Sequence, residues 1–137
     1  MRTRLKSHLF RRIVLWGCGL GAALLFAAFL FISFRIGADV RATSRMATQQ
    51  HPGDRVEALI QFVEDSGDHP LRERNRAVWA LGQLGDPRAL PVLRKYYSGE
   101  PCDHSNELCQ RELDKAIKLM EGGVNITALV WRHSAER

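Results

Sequence analysis

No acidic residue precedes Asp39 in this chain of 137 residues. Six basic ones do (Arg2, Arg4, Lys6, Arg11, Arg12 and Arg35), while the other 14 Lys and Arg face all 15 Asp and Glu from Asp39 onward. The formal net charge of +5 therefore belongs to the first 38 residues, and the remainder is close to neutral. A near-neutral domain lacks the basic stripe that neutralising several phosphates requires, which excludes nucleic acid as a partner. Nor does any stretch alternate apolar and polar residues for long enough to build a sheet, so the fold class is all-α. Cysteine is scarce, at three residues with no Cys-x-x-Cys spacing, and this excludes a thioredoxin-like redox pair. The sequence shows no phosphate-cradling glycine loop, no nucleophile beside a base and no ligand cluster. The five histidines are scattered at positions 8, 51, 69, 104 and 133. From these absences we expect no bound metal or cofactor, and we expect the chain not to be an enzyme.

Charge is missing altogether from Ile13 to Phe34, where Ser33 is the only hydroxyl. As a helix this run measures about 33 Å, against a hydrocarbon core of about 30 Å. It reads as a transmembrane helix that binds the lipid bilayer through residues 13–34. A cleaved secretory signal shares the basic start and would leave a secreted soluble domain, but its apolar region is typically about 7–15 residues. Five Lys or Arg stand in the twelve residues before the run, whereas Arg35, Arg41 and Arg45 after it are partly offset by Asp39. That asymmetry places the amino terminus in the cytoplasm and the rest outside it, periplasmic or extracellular. Gly17 and Gly21 form a Gly-x-x-x-Gly motif that would let two such helices approach closely, giving a homodimer through the span. Cys18 beside them reads as packing.

Residues 1–12 are thus a basic stub, 13–34 the span, and 35–53 a juxtamembrane stalk with no sustained apolar stripe. His51-Pro52-Gly53 breaks the stalk. A helical domain occupies 54–123 and a tail 124–137. Asp54 with Glu57 three residues on is a capping-box pattern, followed by Val56, Leu59, Ile60 and Val63 at helical spacing. Pro70 suits the first turn of a second helix with Leu71, Ala77, Val78, Ala80, Leu81 and Leu84 inward, stopped by Gly85. Asp86-Pro87 opens a third with Ala89, Leu90, Leu93 and Tyr97 inward. A fourth is expected from about Ser105 to Glu121, with Cys109, Leu113, Ala116, Ile117 and Met120 inward. Ala58-Leu59 recurs as Ala89-Leu90 and Ala80-Leu81 as Ala116-Ile117, offsets of 31 and 36 residues. Helix pairs at that period predict a short α-solenoid of two units.

The run RNRAVWALGQLGDPRALPVL, from Arg74 to Leu93, resembles the HEAT-like repeat of the phycobilisome-lyase type. Arg74, Ala77, Ala80, Leu81, Gly82, Leu84, Gly85, Asp86, Ala89, Leu90, Pro91 and Leu93 match its pattern. The resemblance implies an α-solenoid, a fold that mostly supplies protein-binding surfaces. It also implies that Arg74 pairs with a buried acceptor such as Asp86. Metal-dependent hydroxylases of the same type carry repeated His-Glu pairs as iron ligands, and this chain has no His-Glu pair. A lyase role would need a tetrapyrrole pocket, for which two repeats are short.

Two sets of residues remain as candidate sites. Cys102 and Cys109 flank a short loop, and outside the cytoplasm they are expected to form a disulfide. A metal site from Cys102, His104 and Cys109 lacks the paired short spacing of zinc modules. Spacing at 100° puts Arg72, Arg76, Trp79 and Gln83 opposite the apolar face of the second helix. Leu108, Glu112, Lys115 and Leu119 take the corresponding places on the fourth. A Trp beside two Arg has the composition of a binding hot spot, or it fills the seam between repeats. The apolar tail at Ile126, Leu129, Val130 and Trp131 either folds back over the last repeat or docks to another chain. The expected function is a membrane-anchored scaffold that binds an unidentified protein. The alternative is an accessory or lyase-like protein handling a prosthetic group.

Overall fold

The computed structural model describes residues 2–103 and 105–132, with side chains from Arg11 onward. Every regular element among them is helical, in keeping with the all-α expectation. The first element, α1 (Arg2–Gln50), is a single helix of 49 residues, so stub, apolar run and stalk are continuous. Its apolar part is long and hydrophobic enough to cross a membrane, by length and composition. Gly17, Gly19 and Gly21 are exposed there, with nothing within 4 Å of where their Cβ atoms would stand. Cys18 is exposed as well.

The stalk segment is not a free rod. Ser33, Gly37, Val40, Ser44 and Ala47 are all buried, and their spacing of four, three, four and three places them on one helix face. This seam is made of small residues, not large apolar ones. The hydroxyls of Ser33 and Thr43 return to the carbonyls of Phe29 and Asp39, four residues back, at 2.8 and 2.9 Å. The lower half of α1 packs on the next two helices and on the last.

Asp54 caps α2 (Arg55–Glu64) with the full capping box: its carboxylate accepts from the backbone of Val56 and Glu57, and Glu57 reaches back to the cap. Leu59, Phe62 and Val63 are wholly buried, each stabilising by roughly 1.5–3 kcal/mol relative to exposure. Pro70 precedes α3 (Leu71–Leu84), which ends on Gly85 in the left-handed region at φ 66°. A 3-10 turn over Pro87–Ala89 leads into α4 (Leu90–Tyr96). Here the side chain turned inward is Tyr96, not Tyr97. Tyr97 is the cap residue, leaves helical geometry at φ −86° and ψ 113°, and is 40% exposed.

The fourth helix of the domain starts later than its expected Ser105. It is α5 (Gln110–Met120), with Cys109 as its cap. Leu108, placed on the outer row by helical spacing, lies before the helix and is 3% exposed. In space α2 packs against α3, α4 against α5, and α3 against α5. One core runs from Ala47 of α1 through α2–α5. The tail folds back as α6 (Ala128–Trp131), where Ala128 and Trp131 meet Val40 of α1 and the flank of α3. It therefore covers α1 and α3.

Candidate functional site

The approach of α3 to α5 is set by Gly82. A Cβ there would stand 2.8 Å from both Cα and Cβ of Ala116, closer than real side chains come. The two helices are thus in near-backbone contact at one point and diverge around it. They open a groove of about 520 Å³ lined by Trp79, Gly82, Gln83, Glu112, Lys115, Ala116, Lys118, Leu119, Gly123 and Val124. Trp79 is half-buried and packs against both core clusters while presenting its remaining surface to the groove.

Of the four predicted binding residues, Trp79 and Gln83 line this groove, facing Glu112, Lys115 and Leu119 of the opposite helix. Arg72 and Arg76 are exposed on α3 but do not line it. Gln83 is held from two directions. Its side-chain oxygen accepts from Asn125 Nδ2 at 2.8 Å, and its carbonyl accepts from the Arg132 guanidinium at 2.7 and 3.2 Å. The charges of the far wall are largely matched on their own helix, Lys115 with Glu112 at 3.0 Å and Lys118 with Asp114 at 2.7 Å. The hydrogen bond to Asp114 raises the Lys118 pKa.

Arg74 is 7% exposed, as an inward Arg should be, but its partner is not Asp86. Its Nε donates to the Val63 carbonyl at 2.7 Å, in the last turn of α2, and its guanidinium stands 5.7 Å from the Tyr96 ring. A helix's last carbonyls lack partners within the helix, so they are ready acceptors. Asp86 is taken instead by Arg88, which also reaches Asp54 at 2.7 Å.

Cys102 and Cys109, the pair expected to form a disulfide, come together with their sulfurs 3.3 Å apart and unbonded here. The Arg111 backbone N–H and the Cys109 contact lower the Cys102 pKa. His104, the third member of the discarded metal set, lies outside the described residues, as do residues 133–137.

A cluster that sequence reading missed is His51, Asp65 and His69. Their ligating atoms all lie within 4.8 Å of one another. His51 follows α1 directly, Asp65 caps the end of α2, and His69 precedes α3, so three chain breaks meet at one place. The histidine Nε2 atoms are 3.1 Å apart, and the His69 ring stacks on Phe62 at 3.6 Å. Hydrogen bonds from the backbone of Asp68 and Gly67, with the nearby histidines, hold the Asp65 carboxyl below its usual pKa. The signal was distributed over loops 18 residues apart, and only the packing of α1 against α2 brings its parts together.

Residues 73–99 match the family model for the PBS lyase HEAT-like repeat. The chain carries a HEAT-like repeat. That repeat spans α3, the turn at Gly85-Asp86 and α4. Two deoxyhypusine hydroxylases are similar to it. The one from Gallus gallus is 38% identical over 68 residues, 50% of this chain and 22% of the relative. The one from Schizosaccharomyces pombe is 42% identical over 55 residues, 40% of this chain and 17% of the relative. The chain thus spans about a fifth of the length of the curated relatives it matches. No solved structure matches. The relatives are named as enzymes, and this overturns the expectation that the chain is not one.

Proposed function

We propose that the chain is an accessory or lyase-like protein of an enzyme system, a HEAT-like module that receives a prosthetic-group-sized ligand in the groove between α3 and α5. In this reading α2–α3 and α4–α5 form a short two-pair solenoid. Helix α1 anchors it to a membrane, with the domain on the extracytoplasmic side. The groove carries the reading. Its volume of about 520 Å³ falls within the roughly 300–1,000 Å³ of small-molecule sites. The Trp79 ring, Leu119 and Val124 offer apolar surface, and Gln83, Glu112 and Lys115 offer a few polar groups to fix orientation. The enzyme names of the relatives support it over a purely structural role.

Native mass spectrometry of the full chain, extracted from its own membrane in mild detergent, tests this. A small-molecule adduct is expected. Val124→Arg, at an 81% exposed position on the groove edge, should remove it without harming the core. Arg72→Ala should keep it. A bare chain mass in every preparation rejects the reading.

A second reading is favoured by the exposure of Arg72 and Arg76 beside Trp79: a membrane-anchored scaffold that binds a protein. A photo-crosslinker at Val124 separates the two, since a polypeptide adduct supports the scaffold and a small one the accessory role. Protease added to spheroplasts tests the topology. Cleavage beyond Arg41 in intact spheroplasts is expected, and protection until lysis reverses the orientation. Exposure of Gly17 and Gly21 on α1 leaves a homodimer through that helix as a further proposal, tested by crosslinking in the membrane.

A further inference from the structure

We propose that His51, Asp65 and His69 form a binding site for one divalent transition-metal ion of the zinc class, separate from the α3–α5 groove. Two imidazole nitrogens on one tetrahedral zinc stand about 3.3 Å apart, given Zn–N bonds of about 2.0–2.1 Å. The Nε2 atoms of His51 and His69 are already at 3.1 Å, with a carboxylate oxygen of Asp65 inside the same 4.8 Å cluster. Two neutral imidazoles and one carboxylate are a donor set that suits zinc and its neighbours in the first row, and they fill three of four tetrahedral positions. Water can take the fourth.

The setting is prepared in three ways. Asp65 Oδ1 accepts from the backbone N–H of Gly67 at 3.2 Å and of Asp68 at 3.1 Å, which fixes the carboxylate in the turn. Phe62, wholly buried, stacks flat on His69 and meets His51 edge-on with centroids 5.8 Å apart, so both rings are oriented by the core. Helices α1 and α2 both end here, at Gln50 and Glu64. Helix carboxyl ends carry partial negative charge and favour a cation. The competing account of the 3.1 Å spacing is a direct imidazole–imidazole hydrogen bond, which needs no metal.

The test uses the full chain in detergent, with a purification tag free of histidine, stripped by chelator and then titrated with Zn²⁺ alone. One ion per chain should bind, with a rise in melting temperature. Co²⁺ in its place should give the intense visible absorption of a four-coordinate site. His51→Gln and His69→Gln should each weaken binding by more than the roughly 10–100-fold typical of losing an outer-shell partner. Asp65→Asn keeps an oxygen for the turn and guards against a folding artefact. It should melt like the metal-free parent yet bind more weakly. No stoichiometric uptake overturns the proposal and leaves the hydrogen bond as the whole account. Uptake that survives all three substitutions, or that Cys102→Ser abolishes, overturns it as well.

Discussion

The side chain of Trp131 fills the space where Gly37 lacks a Cβ. A Cβ built on Gly37 would stand 2.7 Å from both Cβ and Cγ of Trp131. Trp131 is 1% exposed, and this contact joins the first helix, α1, to the last, α6. We expect Gly37→Ala to destabilise the domain by about 1–3 kcal/mol, the usual cost of overpacking. Trp131→Ala should cost about 3–5 kcal/mol. Thermal melts followed by circular dichroism check both, and a Gly37→Ala variant as stable as the parent would show that the tail can move aside at no cost.

Arg74→Ala should lower stability by about 1–3 kcal/mol, because it strands the Val63 carbonyl in a buried turn. Asp86→Ala removes the half-buried cap of the 3-10 turn together with its ion pair to Arg88, and leaves Arg74 untouched. Chemical denaturation of the two variants distinguishes the observed pairing from the expected one. A double variant should show additive losses, as sites without shared partners do.

The free thiols of Cys102 and Cys109 are close enough to join with a small movement of the loop. Mild oxidation should produce the disulfide and add about 2.5 kcal/mol, by the chain-entropy estimate for so short a loop. Non-reducing peptide mapping and melting with and without reductant measure this. Two alkylatable thiols after oxidation, or an unchanged melt, would count against it.

Asp54 should make the domain acid-sensitive. The Glu57 backbone N–H first, and then Arg88, lower its folded pKa below the ordinary carboxylate range. A depressed carboxyl stabilises the fold above its unfolded pKa, and that contribution disappears as pH falls through the folded value. Stability should therefore decline below about pH 4. Asp54→Asn keeps a capping oxygen but removes the charge, so its acid limb should be flatter. Asp54→Ala should in addition lose about 0.5–2 kcal/mol at neutral pH for want of a cap. Urea titrations across the acid range measure both effects.

What could be read beforehand was local. Asp54 with Glu57, Pro70 and Gly85 signal their own boundaries, because capping and chain reversal depend on near neighbours. Helical spacing also sets Trp79 and Gln83 on one row and Glu112, Lys115 and Leu119 on another, and the fold gathers the two rows into one groove. The rest depended on tertiary contact. The seam on α1 escaped notice because Ser33, Gly37, Ser44 and Ala47 carry no hydropathic stripe, only small volume. Tyr96 displaced Tyr97 because the 3-10 turn and the early end of α4 reset the register. The acceptor for Arg74 is a main-chain carbonyl, and no side-chain pattern marks one. His51 and His69 are brought together by the packing of the last turns of α1, part of the 35–53 segment whose sequence reads as a stalk.

That α1 runs unbroken from Arg2 to Gln50 has a mechanical consequence. A flexible tether would let the domain swivel, whereas this helix is both shaft and part of the core. In the membrane-anchored reading, rolling or tilting of the span would be transmitted to the groove as torque. One residue inserted between Phe34 and Gly37 would turn everything beyond it by about 100° and advance it by about 1.5 Å. The direction in which the groove faces is thus phased to the apolar run, as a key's bit is phased to its bow.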